Sequence, residues 1–533
     1  MLCTIFLRKI HLKNHKMKNL KVVYSYIDNQ VSKEMVNHMK IHHQCEPSII
    51  IGKRKITDWV KLNYPSSYFI DTFELSMGRT NYQDIGNKKI IDQKIIQELS
   101  PYQANFMGRL RDSNGFNFSF KQRLEFYYDI LNYWNTVILN FKPDIFISYT
   151  WPHVQSDYPL YLMCKYIYKI PCIFLDSYPY FENRYAIMSD YDNLSQPFKK
   201  KYNYKNIIIN DAVKNYINEI RINQTEKTPT HMINYFKYKN KQYLFFNKVK
   251  IFFKFIGSLI NLTILQKAIV TDKVNKQEWG EKSQMNNLNH FFFKLKLHLK
   301  PYYLKFLYKK KIKKNVNFNN NYFYFAAPYQ PEASSSIPPG IYENLYYTLT
   351  FICSLLPEGT YLYYKEHPSI FKSSERGALG RDKEYYSKIS RIKNIYMVDT
   401  NTDNYKLIEN SIATISISGS TAWQSLIKLK PTIILGNHAV SGCNSVLTVS
   451  NAKELEECIN IILSGKNIDQ EDVKKYLQAV YDSTIPDLKI ITNRTKNEFN
   501  MDFIPKGYND IEIKKICDGI VSYYKDNFFN KIK

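Results

Sequence analysis

The chain has 533 residues, which excludes a single ordinary hydrophobic core and predicts two or more domains. Its hydrophobic fraction of 44% and charged fraction of 23% are typical of a globular protein. The net charge of +26 favours an acidic partner, such as nucleic acid, anionic lipid or a phosphorylated substrate.

The N-terminal segment gives little sign of targeting. Its apolar run is too short for a signal peptide, and no apolar run in the chain reaches the about 18–20 residues that span a bilayer. The stretch after Met17 has the pattern of a natural first strand. We therefore interpret residues 1–16 as an extension or a misassigned start.

The eight cysteines form no Cys-x-x-Cys pair and show no regular spacing, and several lie in predicted core runs. This pattern indicates reduced, buried thiols and a cytoplasmic protein. His42, His43 and Cys45 lie close together but lack a second ligand pair at zinc-site spacing. No metal site is predicted.

Residues 20 to 235 predict alternating strands and helices. Early strands are expected at Leu20–Tyr26 and Pro47–Ile51, and a long helix at Phe118–Leu139. The clearest unit lies between residues 142 and 176, where a strand, a loop, a helix and a second strand follow each other (Asp144–Tyr149, Thr150–Ser156, Asp157–Tyr168 and Pro171–Leu175). This βαβ pattern predicts a parallel sheet.

The loop of this unit offers candidate acceptor-side residues. His153 lies at the end of a strand, where it either contacts substrate or is a loop histidine without a role. Asp157 fits a helix N-cap, the favoured interpretation, or a substrate contact. Farther on, Asp190 and Asp192 form an Asp-x-Asp pair of the kind that holds a metal on a diphosphate, but the motif is too short to predict one.

Residues 236–314 form a basic, aromatic-rich stretch. Nineteen lysines stand against three acidic residues, and aromatic and aliphatic residues are interleaved with them. The composition favours an amphipathic element on an anionic membrane surface. A pair of linker helices with solvated lysines is the alternative, and nucleic acid fits less well because Phe and Leu recur at helical spacing.

From Tyr322 the strand–helix alternation resumes and predicts a second doubly wound sheet. The expected strands are Tyr322–Ala327, Thr360–Lys365, Asn394–Val398, Ile412–Ile417 and Pro431–Leu435. A final helix is expected at Ile511–Phe528, in a tail that often crosses back to the first lobe in two-lobed proteins of this kind.

Three loops of this second lobe follow strands and should meet at one sheet edge. They supply Gln330, Glu332, Ser334, Lys365, His367, Ser418, Gly419, Ser420 and Thr421. Ser420 and Thr421 open a predicted helix, whose N–H groups and hydroxyls suit a phosphate. A helix N-cap and a His-Pro turn would explain each motif singly, but their joint placement favours a ligand site.

The ordered segments YQPEAS, TYLYYKEHPS and ISISGSTAWQSLIKLKPTIILG resemble the bacterial capsule polysaccharide biosynthesis proteins, which include Kdo transferases. This resemblance covers about Tyr322–Gly436. It implies a GT-B fold, with two Rossmann-like lobes and an active site in their cleft, and sugar transfer from a nucleotide-activated donor without a bound metal.

The resemblance also implies residue roles. Lys365 and His367 would contact the donor phosphate, and Ser418, Ser420 and Thr421 would complete that pocket. Glu332 would take the place of the acidic catalytic residue, although this chain has Glu rather than Asp there and Pro331 before it. Catalysis would then rest on Glu332 and His367, with Gln330, Ser334 and Gly419 lining the donor side.

The expected architecture is α/β and GT-B-like, with a basic helical insert between two doubly wound lobes. Its expected parts are an acceptor lobe, the insert, a nucleotide-sugar lobe and a helical tail (17–235, 236–320, 321–485 and 486–533). We expect a glycosyltransferase that needs no cofactor and uses a nucleotide-sugar, with a CMP-linked donor as one option. Its acceptor would be a surface glycan or glycolipid of capsular or lipopolysaccharide type.

The expected location is cytoplasmic and peripheral, on the inner face of the cell membrane, with no nucleic-acid partner. Two alternatives stay open. One is a CDP-polyol phosphotransferase of the teichoic-acid type, and the other is a non-catalytic membrane-associated or nucleic-acid-binding protein.

Overall fold

The alternating strands and helices build two sheets, and each sheet belongs to its own α/β unit with its own core. The first unit includes the described residues up to Ser189 and those from Thr484 onward, and the second includes the rest. The computed structural model describes residues 19–76, 82–83, 85–113, 120–178, 181, 184–204, 206–222, 299–313, 316–332, 335, 337, 340–372, 376–486 and 510–529.

The first part of the chain alternates strands and helices as predicted. Its elements are β1 (Lys21–Ile27), α1 (Gln30–His43), β2 (Glu46–Gly52), α2 (Thr57–Asn63), β3 (Tyr68–Asp71), α3 (Thr72–Ser76), α4 (Gln93–Ser113), α5 (Phe120–Phe141), β4 (Ile145–Ser148), α6 (Tyr158–Leu162), β5 (Cys172–Tyr178) and β6 (Arg184–Met188). Asn29 caps α1, because its side chain accepts a hydrogen bond from the Ser32 amide and its own amide donates one to the Ser32 hydroxyl.

The second unit begins with two helices and then builds its own sheet. Its elements are α7 (Gln196–Tyr202), α8 (Asp211–Ile222), α9 (299–309), β7 (Tyr322–Ala326), α10 (Leu345–Ser354), β8 (Tyr361–Lys365), α11 (Tyr385–Ile389), β9 (Ile395–Val398), α12 (Asn404–Asn410), β10 (Ala413–Ser416), α13 (Thr421–Ile427), β11 (Thr432–Leu435), β12 (Leu447–Val449), α14 (Ala452–Leu463) and α15 (Gln470–Ser483). The chain then returns to the first unit with β13 (Ile485–Pro486) and α16 (Asp510–Tyr524).

Both sheets are doubly wound. The first has the order β13-β6-β5-β4-β1-β2-β3. Strands β1 to β5 are parallel, and β6 is antiparallel to both of its neighbours, β5 and β13. The second has the order β12-β11-β10-β7-β8-β9 and is parallel throughout. The predicted fold class, two Rossmann-like lobes, is confirmed by this topology.

The structure places residues 190–222 differently from the expected first lobe, which ran to residue 235. Trp423 donates a 2.8 Å hydrogen bond to the Tyr216 hydroxyl, and Arg221 donates one of 2.7 Å to the Ile427 carbonyl. Phe198 and Val213 are buried in the same region. These contacts place α7 and α8 in the second unit. Sequence periodicity could not reveal this, because it shows that a helix has a buried face but not which element that face packs against.

The expected basic insert is described only from residue 299, and its earlier residues lie outside the described ranges. The described helix α9 is part of the second unit's core rather than a separate element. Leu304 and Tyr308 are buried there, and the Tyr308 hydroxyl donates to the Val398 carbonyl at 2.5 Å.

The C-terminal helix α16 packs in the first unit. Ile513, Ile516 and Ile520 share a core cluster with Val31 and Met35 of α1. Among the helices in the described ranges, none is both long enough and apolar enough to cross a bilayer. The cysteines that the structure describes are buried free thiols (Cys45, Cys164, Cys172, Cys353, Cys443, Cys458 and Cys517).

Candidate functional site

The candidate site lies at the carboxyl ends of the central strands of the second sheet. The strands β11, β10, β7 and β8 are consecutive neighbours, and the chain order reverses between β7 and β10. At such a switch point the following loops diverge and leave a crevice for a ligand. The three loops singled out in the sequence follow β7, β8 and β10, so they meet at this edge.

A buried carboxylate fixes the end of β8. Glu366 is fully buried, and Arg381 donates to it from Nε at 2.9 Å and from Nη2 at 3.1 Å. Tyr364 and Tyr386 donate from their hydroxyls to Oε2 at 2.8 and 3.0 Å. Burial alone would raise the pKa of Glu366, but the Arg381 charge and these hydrogen bonds outweigh it and hold the pKa below its usual value.

The same arginine holds the loop after β7. Arg381 Nη1 donates to Gln330 Oε1 at 3.2 Å, and Gln330 Nε2 donates to the carbonyls of Glu343 at 2.9 Å and Ser335 at 3.2 Å. Gln330 is therefore a buried bridge that shapes the loop. Its predicted contact with a donor stays a prediction.

His367 follows Glu366 and caps the short turn that begins at Pro368. Its Nδ1 accepts a hydrogen bond from the Ser369 amide at 3.2 Å, which leaves the neutral ring with its proton on Nε2. Burial lowers the pKa of His367 to about 4, although the Glu366 carboxylate opposes that shift. The ring packs against Tyr329 with centroids 5.4 Å apart. His367 can thus offer Nε2–H to a ligand without carrying a charge.

Lys365 is buried at the last position of β8. Its ammonium group donates to the Thr402 carbonyl at 2.5 Å and to Asn404 Oδ1 at 2.8 Å. Those bonds tie β8 to the loop that follows β9. The charge still lies at the sheet edge, and a direct contact between Lys365 and a phosphate stays a prediction.

The turn after β10 carries the predicted hydroxyls. The Gly419 amide donates to Ser416 Oγ at 3.2 Å, which turns the chain toward α13. Ser418 Oγ is enclosed and has no hydrogen-bond partner among the described residues. Ser420 is exposed at the N-cap of α13 and makes no side-chain capping bond, and Thr421 follows it. A ligand oxygen placed here would satisfy Ser418.

Sequence reasoning missed His438, which follows β11. It is buried, and its Nδ1 accepts from the Val440 amide at 3.1 Å. Burial lowers the pKa of His438 to about 4, with a hydrogen bond to the Gly419 backbone opposing the shift. His438 therefore supports the Ser418–Thr421 turn from the neighbouring strand.

The predicted catalytic acid lies in the loop after β7. Glu332 is exposed, and its carbonyl accepts from both the amide and the hydroxyl of Ser335 at 3.2 Å. The Gln330–Pro331 peptide bond that precedes it is cis. Ser334 lies outside the described residues. A catalytic role for Glu332 stays a prediction.

In the first unit, the predicted acceptor-side loop also lies at a switch point, between β1 and β4. His153 stacks on Tyr26 with ring centroids 6.0 Å apart, and Nδ1 lies 3.4 Å from the Tyr26 hydroxyl. Asp157 precedes α6 but makes no capping bond. It is buried and accepts from the Val154 amide at 2.8 Å, which closes the loop.

Two further acidic features are the Asp-x-Asp pair, at the start of the second unit, and Asp176, in the first. Asp190 accepts a hydrogen bond from the Asp192 amide at 2.8 Å, so the Asp-x-Asp pair forms a local turn. Burial raises the pKa of Asp176 to about 8, although a hydrogen bond from Trp151 opposes the shift. Asp176 lies on β5, next to the strand that precedes the His153 loop.

No protein-family model and no curated protein matches the chain. Similar solved structures include KpsC, a beta Kdo 2,7 transferase of Thermosulfurimonas dismutans, with 9% identity, 76% of this chain and 91% of that chain covered, and a TM-score of 0.28. They also include a glycosyltransferase of Rickettsia africae. Its identity is 15%, with 95% of this chain and 98% of that chain covered and a TM-score of 0.23.

A third similar structure is the UDP-GlcNAc 2-epimerase of Neisseria meningitidis bound to UDP-GlcNAc. Its identity is 13%, with 87% of this chain and 99% of that chain covered and a TM-score of 0.22. Kdo transferases, to which the sequence motifs are similar, are thus among the solved structures found. At such TM-scores, these likenesses do not assign an activity to this chain.

Proposed function

We propose that the second unit binds the nucleotide-activated donor of a glycosyl transfer, and that the acceptor is a bacterial surface glycan of capsular or lipopolysaccharide type. One observation carries this proposal: the partnerless hydroxyl of Ser418 and the neutral Nε2–H of His367 lie on loops at the same sheet edge. Hydrogen-bond donors beside a switch-point crevice suit phosphate oxygens.

The proposed reaction is a displacement at the anomeric carbon of the donor sugar. The bond from that carbon to the phosphate oxygen breaks, and the nucleotide leaves with the electron pair. The acceptor oxygen forms the new bond and loses its proton to a base, for which Glu332 is the proposed group. His367 and the hydroxyls of Ser418, Ser420 and Thr421 stabilise the charge that develops on the phosphate.

Fixed neutral donors suit this task. The turn at His367 is held by the Glu366–Arg381 pair, and the turn at Ser418 is held by Ser416 and His438. Neither turn has to change its conformation when charge appears on the leaving group, and this is the condition for strong electrostatic stabilisation. On the first unit, His153 is the proposed contact for the acceptor.

The direct test is binding of the full chain to CMP, CDP, UDP and GDP, followed by thermal unfolding. A nucleotide at about 100 times its Kd should stabilise the protein by about 2.7 kcal/mol. Calorimetry then gives the affinity, and adenosine and the free sugars serve as controls. Failure of all four nucleotides to bind would remove the proposal.

A CDP-polyol phosphotransferase is the nearest alternative, since the same hydroxyls and histidine could hold a CDP-linked donor. The two reactions leave different masses on the acceptor. A hexose, Kdo or related sugar increment supports glycosyl transfer, whereas a glycerol-phosphate increment supports the alternative.

A non-catalytic binding protein is the second alternative. It predicts that His367→Ala and Glu332→Ala leave function intact, while charge reversal of the basic stretch abolishes it. Our proposal predicts the opposite for turnover in detergent. Full turnover by both alanine variants would exclude this site.

We further propose that α9 contacts an anionic membrane surface at the inner face of the cell membrane. Leu299, Tyr303 and Phe306 are 58%, 50% and 54% exposed on α9. Lys305 and Lys309 are also exposed there, whereas the opposite face is buried. Exposed apolar residues beside lysines suit the interface of anionic lipids.

A further inference from the structure

Three potential metal ligands come together in the first unit. His38 and His43 lie on α1, near its C-terminal end, and Asp518 lies on α16. One ligand atom from each residue lies within 4.8 Å of the others, and all three residues are half-buried. Residues from the two ends of the chain therefore converge on one point.

The polar atoms of this cluster are poorly satisfied by the protein itself. Nε2 of His38 and Nε2 of His43 are both enclosed, and neither has a hydrogen-bond partner among the described residues. His43 Nε2 lies 3.2 Å from Asp518 Oδ1, so its polar neighbour is the carboxylate of the same cluster. In the part of the chain that the structure describes, the enclosed Nε2 of His38 has no such neighbour, which is costly unless something else binds it.

The spacing fits a small cation. With metal–ligand bonds of about 2.0–2.1 Å, the edge of a tetrahedral site measures about 3.4 Å. The distance of 3.2 Å between His43 and Asp518 is close to that edge, and side-chain rotation of His38 could close the remaining span. Two imidazoles and one carboxylate leave a position for water, as in sites that bind zinc or its neighbours.

We propose that His38, His43 and Asp518 form a binding site for one divalent transition-metal ion, with Zn²⁺ as the best match. The ion would join α1 to α16 and so fasten the C-terminal helix to the first unit.

One neighbour opposes the ion and gives the proposal a sharp test. Lys514 donates to Asp518 Oδ2 at 2.6 Å, so its charge competes for the same carboxylate. Removing that charge should therefore strengthen metal binding. His42 supplies the matched control, because it is exposed and its ring packs at a tilt against that of His38, with centroids 4.3 Å apart, but it is outside the cluster.

The experiment titrates Zn²⁺ into the untagged full chain after dialysis against a chelator, with Co²⁺ absorption as a second readout. We expect one equivalent to bind, at least about tenfold weaker binding in Asp518→Asn, and loss of binding in the double variant His38→Gln/His43→Gln. His42→Gln should bind as the unchanged chain does, and Lys514→Met should bind more tightly.

Circular dichroism reports whether each variant is folded. If the double histidine variant does not fold, Lys514→Met and Asp518→Asn decide the matter, since they move the affinity in opposite directions. Absence of a saturable equivalent, or equal affinity in Asp518→Asn and Lys514→Met, would overturn the site.

Discussion

The carboxylate of Glu366 and the guanidinium of Arg381 form a two-pronged ion pair in the interior of the second unit, with hydrogen bonds of 2.9 and 3.1 Å. The side chains are 0% and 1% exposed. Glu366 stands between Lys365 and His367 in sequence, and Arg381 donates to Gln330 in the loop after β7. It therefore sets the positions of two loops of the candidate site at once.

Removing one partner of this pair should strongly destabilise the second unit. A buried charge left without its partner costs about 3–5 kcal/mol, so Glu366→Gln and Arg381→Met should each lower the free energy of unfolding by about that amount. The double variant should lose less than the sum of the two, because neither charge is stranded. Denaturant unfolding measures all three, and additive losses would contradict the coupling.

The pair should also shape the acid stability of the protein. The pKa of Glu366 is lower in the folded state than its unfolded value of about 4.3. The unfolded state therefore binds the proton first as pH falls, so the stabilisation is complete above pH about 4.3 and is lost as pH drops through the folded pKa. Glu366→Gln should remove this component of the acid transition.

Ser418→Ala should separate binding from folding. The hydroxyl has no partner to lose among the described residues, so the free energy of unfolding should change little. If the hydroxyl binds a phosphate, its loss removes a charge-assisted hydrogen bond of about 1.5–3 kcal/mol and weakens nucleotide affinity by more than about tenfold. Ser425→Ala is the control, because Ser425 Oγ is equally enclosed and partnerless but lies within α13. Equal affinity in both variants would exclude the Ser418 contact.

Two glycines give a second pair of matched variants. A Cβ on Gly419 would find its nearest atom, Ser416 Oγ, at 3.7 Å, so Gly419→Ala should fold normally and lower nucleotide affinity only by crowding the ligand. A Cβ on Gly380 would lie 2.8 Å from the Gln330 carbonyl oxygen, so Gly380→Ala should displace that loop and lower the Tm. Thermal unfolding and calorimetry separate the two effects. A large loss of Tm in Gly419→Ala would contradict this assignment.

The neutral state of His367 has a consequence for pH dependence. Its pKa of about 4 leaves the imidazole uncharged from pH 5.5 to 8, so its contribution to nucleotide affinity should be flat over that range. His367→Asn retains an acceptor for the Ser369 amide but removes the Nε2–H group. The nucleotide's own protonation affects both proteins equally, so it cancels when the nucleotide affinity of this variant is compared with that of the unchanged chain.

We expect His367→Asn to fold normally and to bind nucleotide about tenfold more weakly at every pH in that range. The affinity of the unchanged chain, divided by that of His367→Asn, should therefore be constant. If this ratio instead rises as pH falls through about 6.5, the histidine would bind as a charged imidazolium.

The exposed face of α9 should govern membrane binding. Tyr303→Ser with Phe306→Ser should reduce co-sedimentation with anionic vesicles, while Leu62→Ser, at an 82% exposed position of the first unit, should not. Binding of the unchanged chain should fall at high salt because lysine–lipid attraction is screened. Equal binding to neutral and anionic vesicles would argue against this surface.

The sequence alone was sufficient for much of the architecture. Apolar runs that end in polar residues located the core strands, and the parallel βαβ pattern implied that the loops containing Gln330, His367 and Ser418 share one edge. These features are local, because strand periodicity and the βαβ pattern depend on residues that are close together in the sequence.

Which side chains meet is visible only in the folded protein. It gave Glu366 its partner Arg381, used Gln330 as a bridge, placed His438 beneath the Ser418 turn, and brought Asp518 to His38 and His43. It also assigned α7 and α8 to the second unit and α16 to the first. Such pairs depend on distances through space between residues far apart in the chain, and no local pattern in a single sequence encodes them.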